Sequence, residues 1–346
     1  EMHIGHLMST VIGESVSRII ENSGATVIRD TYGGDVGPHV ARVLWALRRD
    51  GVTDVAHASE VDKAYLQGAR AYEESETANA EIEALNQEIY KGENRELMEL
   101  WRKCREVCLE SFRELYNVLG TTFDYYFFES EVTPIGMEVV QDGVAKGVFK
   151  ESEGAVIYDG EKDGLHTLVF ITSRGTPTYE AKEIGLAFYK EERIKNDEVI
   201  IETGAEQIGH FKVFLSALSQ IAPLIAKKMS HLSHGLMVDT EGRKLSSRLG
   251  NAVTASELVA SVIARTKDKN DDPVIAQQVA VGAIKYMILR QAPGGNIIFD
   301  EEKSLSLEGD SGPYLQYALV RARKILSYAS ESAGAEVPEA PYAIER

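Results

Sequence analysis

Two histidines stand three residues apart near the start of the chain, in His3-Ile4-Gly5-His6, directly before a run with helical periodicity. Imidazoles so spaced fall on one side of a helix start, where unpaired amides carry partial positive charge, and Gly5 lets a flat ligand approach the backbone. That arrangement suits phosphate binding, although surface histidines or a metal pair fit so short a pattern as well. A second cluster, Arg243-Lys244-Leu245-Ser246-Ser247-Arg248, follows the turn sequence Asp239-Thr240-Glu241-Gly242. Lysine, two hydroxyls and arginine on a loop can grip a polyphosphate and release it after reaction. Tyr179 and Glu183 lie one helical turn apart and share a face, so a guanidinium could rest against the phenol while the carboxylate accepts charge-assisted hydrogen bonds. The plain alternative for this pair is an amphipathic helix with an exposed acid.

Residues this far apart in sequence need a scaffold that gathers loops. Residues 7–21 place Val11, Ile12, Val16, Ile19 and Ile20 near helical spacing, Gly24 stops the helix, and 25–29 reads as a buried strand. This αβ rhythm builds parallel sheets. Between 59 and 119 the chain turns charged and helical, with Leu97, Leu100, Cys104, Cys108, Phe112 and Leu115 recurring every three to four residues and Gly92 as a break, which predicts a helical hairpin. The rhythm then resumes: strand 168–172, a turn at Ser173-Arg174-Gly175, helix 179–190, strand 198–201, helix 205–221 and strand 235–238. From Pro273 onward, two amphipathic helices (about 274–290 and 314–328) contain no clear strand. The fold class is therefore α/β: a Rossmann-like parallel sheet split by a helical insertion and followed by an all-helical module. In such sheets ligands bind in loops beyond the carboxyl ends of the strands.

The 346 residues carry 37 Lys+Arg against 54 Asp+Glu, a formal charge of −17, which excludes a blanket basic surface. Nucleic acid would have to meet a local patch, such as Arg321, Arg323 and Lys324, whose plain alternative is a solvated helix face. No stretch approaches the roughly 20 apolar residues of a spanning helix. No basic-then-apolar leader opens the chain, so a cytoplasmic protein with no membrane partner is expected. The two cysteines, Cys104 and Cys108, suit buried thiols on one helix face better than a disulfide. His231 and His234 resemble a metal pair only superficially, so no metal residues are assigned, and Lys227-Lys228-Met229-Ser230 reads as a helix end before a strand.

An HIGH sequence early in a split α/β domain and a K-L-S-S loop near residue 244 seldom co-occur by chance. The chain resembles a class I aminoacyl-tRNA synthetase and, within that class, the arginyl type. Segments 27–37 (through Gly34-Asp35-Val36-Gly37), 178–183, 205–211 and 311–318 resemble successive stretches of that family, in order and over nearly the whole chain. The resemblance implies activation of L-arginine with ATP and Mg²⁺, followed by transfer to the 3′ end of an arginine tRNA. It implies catalytic roles for His3, His6, Lys244 and Arg248, and ATP contacts from His3, Gly5, His6, His234, Gly235, Met237, Lys244, Ser246 and Ser247, with Leu236 or Met237 reading the adenine edge. Arginine would be held by Tyr179, Glu183, Gln207 and Asp35. Asp35 is equally well read as an Asx turn, and Gln207 as a capping amide.

Domain boundaries follow: 1–58 for the first half of the catalytic domain, 59–150 for a mainly helical insertion, 151–254 for the second half with the signature loop, 255–330 for the helical module and 331–346 for a linker toward a further, anticodon-binding part. A start upstream of His3 is expected, and a monomer. Departures from the family pattern are Ser247 where a lysine is usual and Glu183 where aspartate is more frequent, one methylene longer and of the same sign. A noncatalytic RNA-binding paralogue and a different class I synthetase are the alternatives.

Overall fold

The structure is a computed structural model that describes residues 2–243, 254–267, 272–292 and 294–333, the side chains of 301 and 329–333 excepted. Helix α1 (Ile4–Asn22) precedes strand β1 (Asp30–Gly33) and helices α2 (Pro38–Arg49), α3 (Ala58–Glu74), α4 (Glu76–Lys91) and α5 (Arg95–Leu119). Then come β2 (Tyr125–Phe128), α6 (Glu129–Ala145), β3 (Lys150–Ser152), β4 (Ala155–Tyr158) and β5 (Leu168–Ile171). The chain continues with α7 (Tyr179–Arg193), β6 (Val199–Gly204), α8 (Ile208–Ile221), α9 (Pro223–Ala226), β7 (Met229–His234) and β8 (Met237–Val238). It closes with α10 (Ala255–Lys267), α11 (Pro273–Leu289), β9 (Ile297–Ile298), α12 (Glu301–Ser304) and α13 (Gly312–Ala333). The alternation of helices with short, partly parallel strands is the α/β class the sequence predicts.

The chain divides into two compact units, one formed by Ile28–Arg113 and Phe123–Leu232, the other by Met2–Val27, Glu114–Thr122 and Ser233–Arg346. In the first, β1 and β2 pair in parallel, with Asp30 opposite Tyr125 and Gly33 opposite Phe128. The predicted strand over 25–29 is displaced to Asp30–Gly33, because the backbone partner is the aromatic run Tyr125-Tyr126-Phe127-Phe128, and Arg29 instead donates its amide to the Asp124 carboxylate at 2.8 Å. The predicted hairpin is three helices. Gly92 ends α4 in the left-handed region (φ 66°), and a second break falls at Ser75, whose hydroxyl caps α4 by accepting from the Ala78 amide at 3.2 Å. Leu44, Ile82, Leu85, Leu97 and Cys104 share the core of these helices, and burial pushes the Cys104 thiol up to about 12, so it is inert.

A second core gathers Phe149, Tyr158, Phe170, Ile184, Phe211 and Phe214 beneath the antiparallel set β3–β4–β5. Helices α6 and α7 meet backbone to backbone: a Cβ added to Gly136 would stand 2.0 Å from the Ala181 carbonyl oxygen, and one on Gly185 2.2 Å from that of Val132. Only glycine permits this approach, which draws α7 so deep that residues 181–187 are all buried. Lys228 is also more than a helix end, since its ammonium pairs with Glu191 at 2.7 Å.

In the second unit, Leu7, Met8 and Val11 of α1 are buried, as are Leu258 of α10 and Ile284 of α11. The C-terminal segment is not purely helical, because β9 pairs in parallel with β8, Met237 opposite Ile297. So short a strand gives no periodic signal, and its partner lies about sixty residues earlier. No helix of the described residues is long and apolar enough to cross a membrane.

Candidate active site

The N-terminus of α1 is organised by its own histidines. His3 is the N-cap, and its Nδ1 accepts from the Gly5 amide at 3.0 Å, while His6 Nδ1 accepts from the His3 amide at 3.2 Å. The two rings stack with centroids 3.8 Å apart, and a Cβ on Gly5 would stand 2.7 Å from His3 Cε1, so only glycine fits beneath the ring. The first-turn amides that sequence spacing leaves unpaired are thus partly satisfied by the imidazoles themselves. Because each Nδ1 accepts, the neutral form of each ring carries its proton on Nε2, and the helix start offers two ring N–H donors in addition to its dipole. Partial burial and the neighbouring His3 push His6 down to about 4, so it is neutral at pH 7 although part of it is open to solvent.

His234 is 5% exposed, with Nε2 3.1 Å from the Ser9 hydroxyl and Nδ1 2.7 Å from the Gly235 carbonyl. It braces α1 against the strand end. Leu236 has its amide held by Asn296 Oδ1 at 3.0 Å and its carbonyl by the Ile297 amide at 2.9 Å, which leaves Met237 as the backbone candidate for adenine. Sequence reasoning missed Asp239, which is 2% exposed and accepts from the amides of Glu241 (2.8 Å) and Arg243 (2.9 Å) and from Arg243 Nε (3.0 Å). This carboxylate shapes the turn that leads into the second cluster. Its signal was the D-x-x-G pattern itself. Lys244, Ser246, Ser247 and Arg248 lie outside the described residues.

In the other unit, Thr178 begins α7 by donating its hydroxyl to the Phe170 carbonyl at 3.0 Å, which ties the helix start to the end of β5. Tyr179 and Glu183 stand one turn apart on α7, and each bears on the other's ionisation. Glu183 is not the exposed acid of the plain reading: it is 2% exposed, and burial lifts it to about 7 against the opposing pull of Tyr179, Lys190 and His210. The Tyr179 ring lies 4.9 Å from His210, whose Nδ1 is 3.2 Å from Glu180. Gln207 is half-buried on a short turn after β6, three residues before His210 on the way into α8. His231 does not form a metal pair with His234: it stacks on Phe211 at 4.3 Å, with Nε2 2.8 Å from the Thr203 hydroxyl.

Asp35 is neither an Asx turn nor open to a ligand. Its carboxylate accepts from Arg105 Nη1 (2.9 Å), the Ser130 amide (2.8 Å) and the Ser130 hydroxyl (2.7 Å), and its carbonyl accepts from Trp101 Nε1 (2.6 Å). It knots the turn after β1 to α5 and α6. Beside it lies a buried ion pair that the sequence did not announce, Lys182 Nζ to Glu129 Oε2 at 2.5 Å. Burial works against the Lys182 ammonium, yet Glu129 and the Tyr90 phenol outweigh it and hold Lys182 above the usual lysine range. Burial also lifts Glu129, so the pair stands at the expense of desolvating both charges.

The family model described as tRNA synthetases class I (R), catalytic domain, matches residues 1–300. The chain belongs to this family. An arginine–tRNA ligase of Treponema denticola is 33% identical over 353 residues, covering 97% of this chain and 60% of that protein. One from Borreliella burgdorferi is 31% identical over 94% of this chain and 59% of its own length. The chain therefore spans about 60% of the length of the curated relatives it matches. Among solved structures, the arginyl-tRNA synthetase of Thermus thermophilus superposes with a TM-score of 0.77 at 26% identity, over 98% of this chain and 63% of that one. That of Plasmodium falciparum superposes with a TM-score of 0.75 at 21% identity, over 94% and 56%, a likeness of fold.

Each unit thus holds its own group of candidate residues: the histidine-capped start of α1 in one, and Tyr179, Glu183 and His210 of α7 and α8 in the other. Among the described residues no three His, Cys, Asp or Glu side chains converge as a metal cage. The described residues therefore form no protein-built Mg²⁺ cage.

Proposed function

We propose that the chain is the catalytic core of an arginyl-tRNA synthetase acting on L-arginine, ATP and an arginine tRNA. The observation that carries the reading is Glu183, a carboxylate buried beside Tyr179 on a helix whose neighbours give it no full counter-charge, which is the environment a guanidinium would complete. In the first step the arginine carboxylate attacks the α-phosphorus of ATP and pyrophosphate leaves. In the second, a terminal ribose hydroxyl of the tRNA attacks the carbonyl carbon and AMP leaves. No covalent enzyme intermediate is needed, so catalysis is positioning and stabilisation of charge on phosphorus. The Nε2–H groups of His3 and His6 are the donors for phosphate, and Lys244, Ser246, Ser247 and Arg248 grip the pyrophosphate. Gly5 makes room for the His3 ring and Gly235 for the Gly295 backbone, so each shapes the nucleotide side without itself admitting the ligand, with His234 bracing the loop and Met237 at the adenine edge. Gln207 takes the α-amino or carboxylate group of arginine, and Asp35 positions the loop after β1. Mg²⁺ would travel with the nucleotide's own phosphates and water, which suits an ion that dehydrates reluctantly. The reading extends to a cytoplasmic monomer and to the five-part division at 58, 150, 254 and 330.

Isothermal titration with L-arginine and with ATP tests it directly, and absence of arginine binding would sink it. The same titration carries a pH signature. With Glu183 near 7, a guanidinium entering at pH 7 should expel about half a proton, approaching one near pH 6 and none above about pH 8. Titrating in buffers of different ionisation enthalpy measures this, and arginine binding with no proton release at pH 6.5 would contradict it. For the helix start, His6→Ala should lower ATP–pyrophosphate exchange by about 10²-fold with arginine affinity nearly intact. An unchanged exchange rate would reject the phosphate role.

A further inference from the structure

The arginine side contains a polar atom that the proposed chemistry has not used. Tyr32, the third residue of β1, packs with Tyr189 on the buried cluster of Phe127, Val132 and Leu186, the last from α7. Leu186 stands three residues beyond Glu183 and seven beyond Tyr179, on the same helix face. At the end of this packed ring the Tyr32 hydroxyl is buried without a hydrogen-bond partner. An unpartnered buried hydroxyl is destabilising, whereas phenylalanine would fill the same space without that penalty. Retaining the phenol therefore calls for a state in which it is satisfied. The acids near it are Glu183, Glu129 and Asp35, with Glu183 exerting the strongest pull. Two of the three are already committed: Asp35 to Arg105 and Ser130, Glu129 to Lys182.

We propose that Tyr32 is a positioning residue for Glu183, its hydroxyl donating to the Glu183 carboxylate when that group is ionised. The assignment rests on the reading of Glu183 as the guanidinium partner. The phenol suits the task, because burial and the surrounding acids keep it protonated, so it donates and does not compete as an anion. The titratable groups that bear on Glu183 are Tyr179 and Lys190 from α7, His210 from α8, Glu129 from α6 and Tyr32 from β1. Of these, Lys190 is paired with Asp30 at 2.7 Å and Glu129 with Lys182. Tyr179 is the group against which an arriving guanidinium would lie. When Tyr179 takes up that contact, Tyr32 remains as a donor to hold the carboxylate's orientation, beside His210, whose Nε2 is also buried without a partner.

The test is the pH dependence of L-arginine affinity in the full-length protein carrying Tyr32→Phe, with melting temperature read alongside. A hydrogen bond to a charged group is lost only where Glu183 ionises, so the acid limb of the affinity profile should move up by about one pH unit. At pH 6.5 arginine should bind several-fold to tenfold more weakly, and at pH 9 unchanged. ATP affinity should stay constant, and the melting temperature should hold or rise. Replacement of Tyr32 by a fluorinated tyrosine, a more acidic donor of nearly the same size, should move the limb the other way, which keeps the test available if the phenylalanine variant folds poorly. An unmoved acid limb overturns the assignment, as does a uniform loss of affinity at every pH, which is the mark of a packing role. If the unaltered protein does not bind arginine at all, the functional reading falls and takes this assignment with it. Arginine binding that Tyr32→Phe leaves untouched removes only the assignment.

Discussion

Lys182→Met is expected to destabilise the protein by about 3–5 kcal/mol, because it leaves the Glu129 carboxylate, 5% exposed, without its partner. The methionine approximates the lysine stem, so lost packing is a small part of the effect. Glu129 responds by protonating: its folded pKa then lies above its unfolded value, folding takes up a proton, and the variant should regain stability as pH falls and lose it as pH rises through the folded pKa. The double variant Glu129→Gln/Lys182→Met should be damaged much less than the sum of its parts, since both charges are gone. Denaturant unfolding at two pH values measures all of this. A loss under about 1 kcal/mol would mean that water reaches the pair. The pair matters to the site because it joins the first turn of α6 to α7 one residue before Glu183.

Glu183→Gln is expected to raise the KM for arginine by roughly 30-fold or more with ATP nearly unaffected, since truncating one side of a desolvated charged pair costs on the order of 2–5 kcal/mol. Glutamine keeps the size and an accepting oxygen, so the change isolates charge. Arginine against citrulline, an uncharged analogue of similar shape, is the informative comparison: the preference between them should narrow. Stability should move the other way. A carboxyl lifted to about 7 by burial favours the unfolded state at neutral pH, where the unfolded chain carries it ionised, so the glutamine variant should melt at or above the unaltered protein at pH 8 and lose this advantage toward pH 5. Undiminished discrimination between arginine and citrulline would leave Glu183 as a buried structural acid.

Much of this site was legible from spacing alone. The HxxH pattern before an apolar helical run placed the histidines at the cap of α1, and the four-residue interval put Tyr179 and Glu183 on one turn of α7. What spacing concealed was partnership. Asp35 sits in a glycine-rich turn that offers several local roles, and its Ser130 and Arg105 partners lie 95 and 70 residues away. Nothing in the spacing of α7 announces partners for Lys182 and Lys190, yet each is buried against an acid from another element. Strands were placed least well. Tyr125-Tyr126-Phe127-Phe128 and Ile297-Ile298 are too short to show alternation, and each is a strand because a parallel partner is available.

By itself the sequence determined the α/β class, the helices and the glycine breaks that end them, the charge balance, and the residue types brought to each candidate loop. These are local properties, set by which backbone conformations each residue tolerates and by which helix face is apolar. The tertiary structure alone decided protonation and availability: that Glu183 is desolvated and titrates near 7, that the His3 and His6 rings cap their own helix, that the Asp35 carboxylate is consumed, and that the Tyr32 hydroxyl is left over. The reason is physical. Desolvation and hydrogen-bond satisfaction depend on atoms brought together from distant parts of the chain, and α7 reaches its depth only because Gly136 and Gly185 let two helix backbones touch.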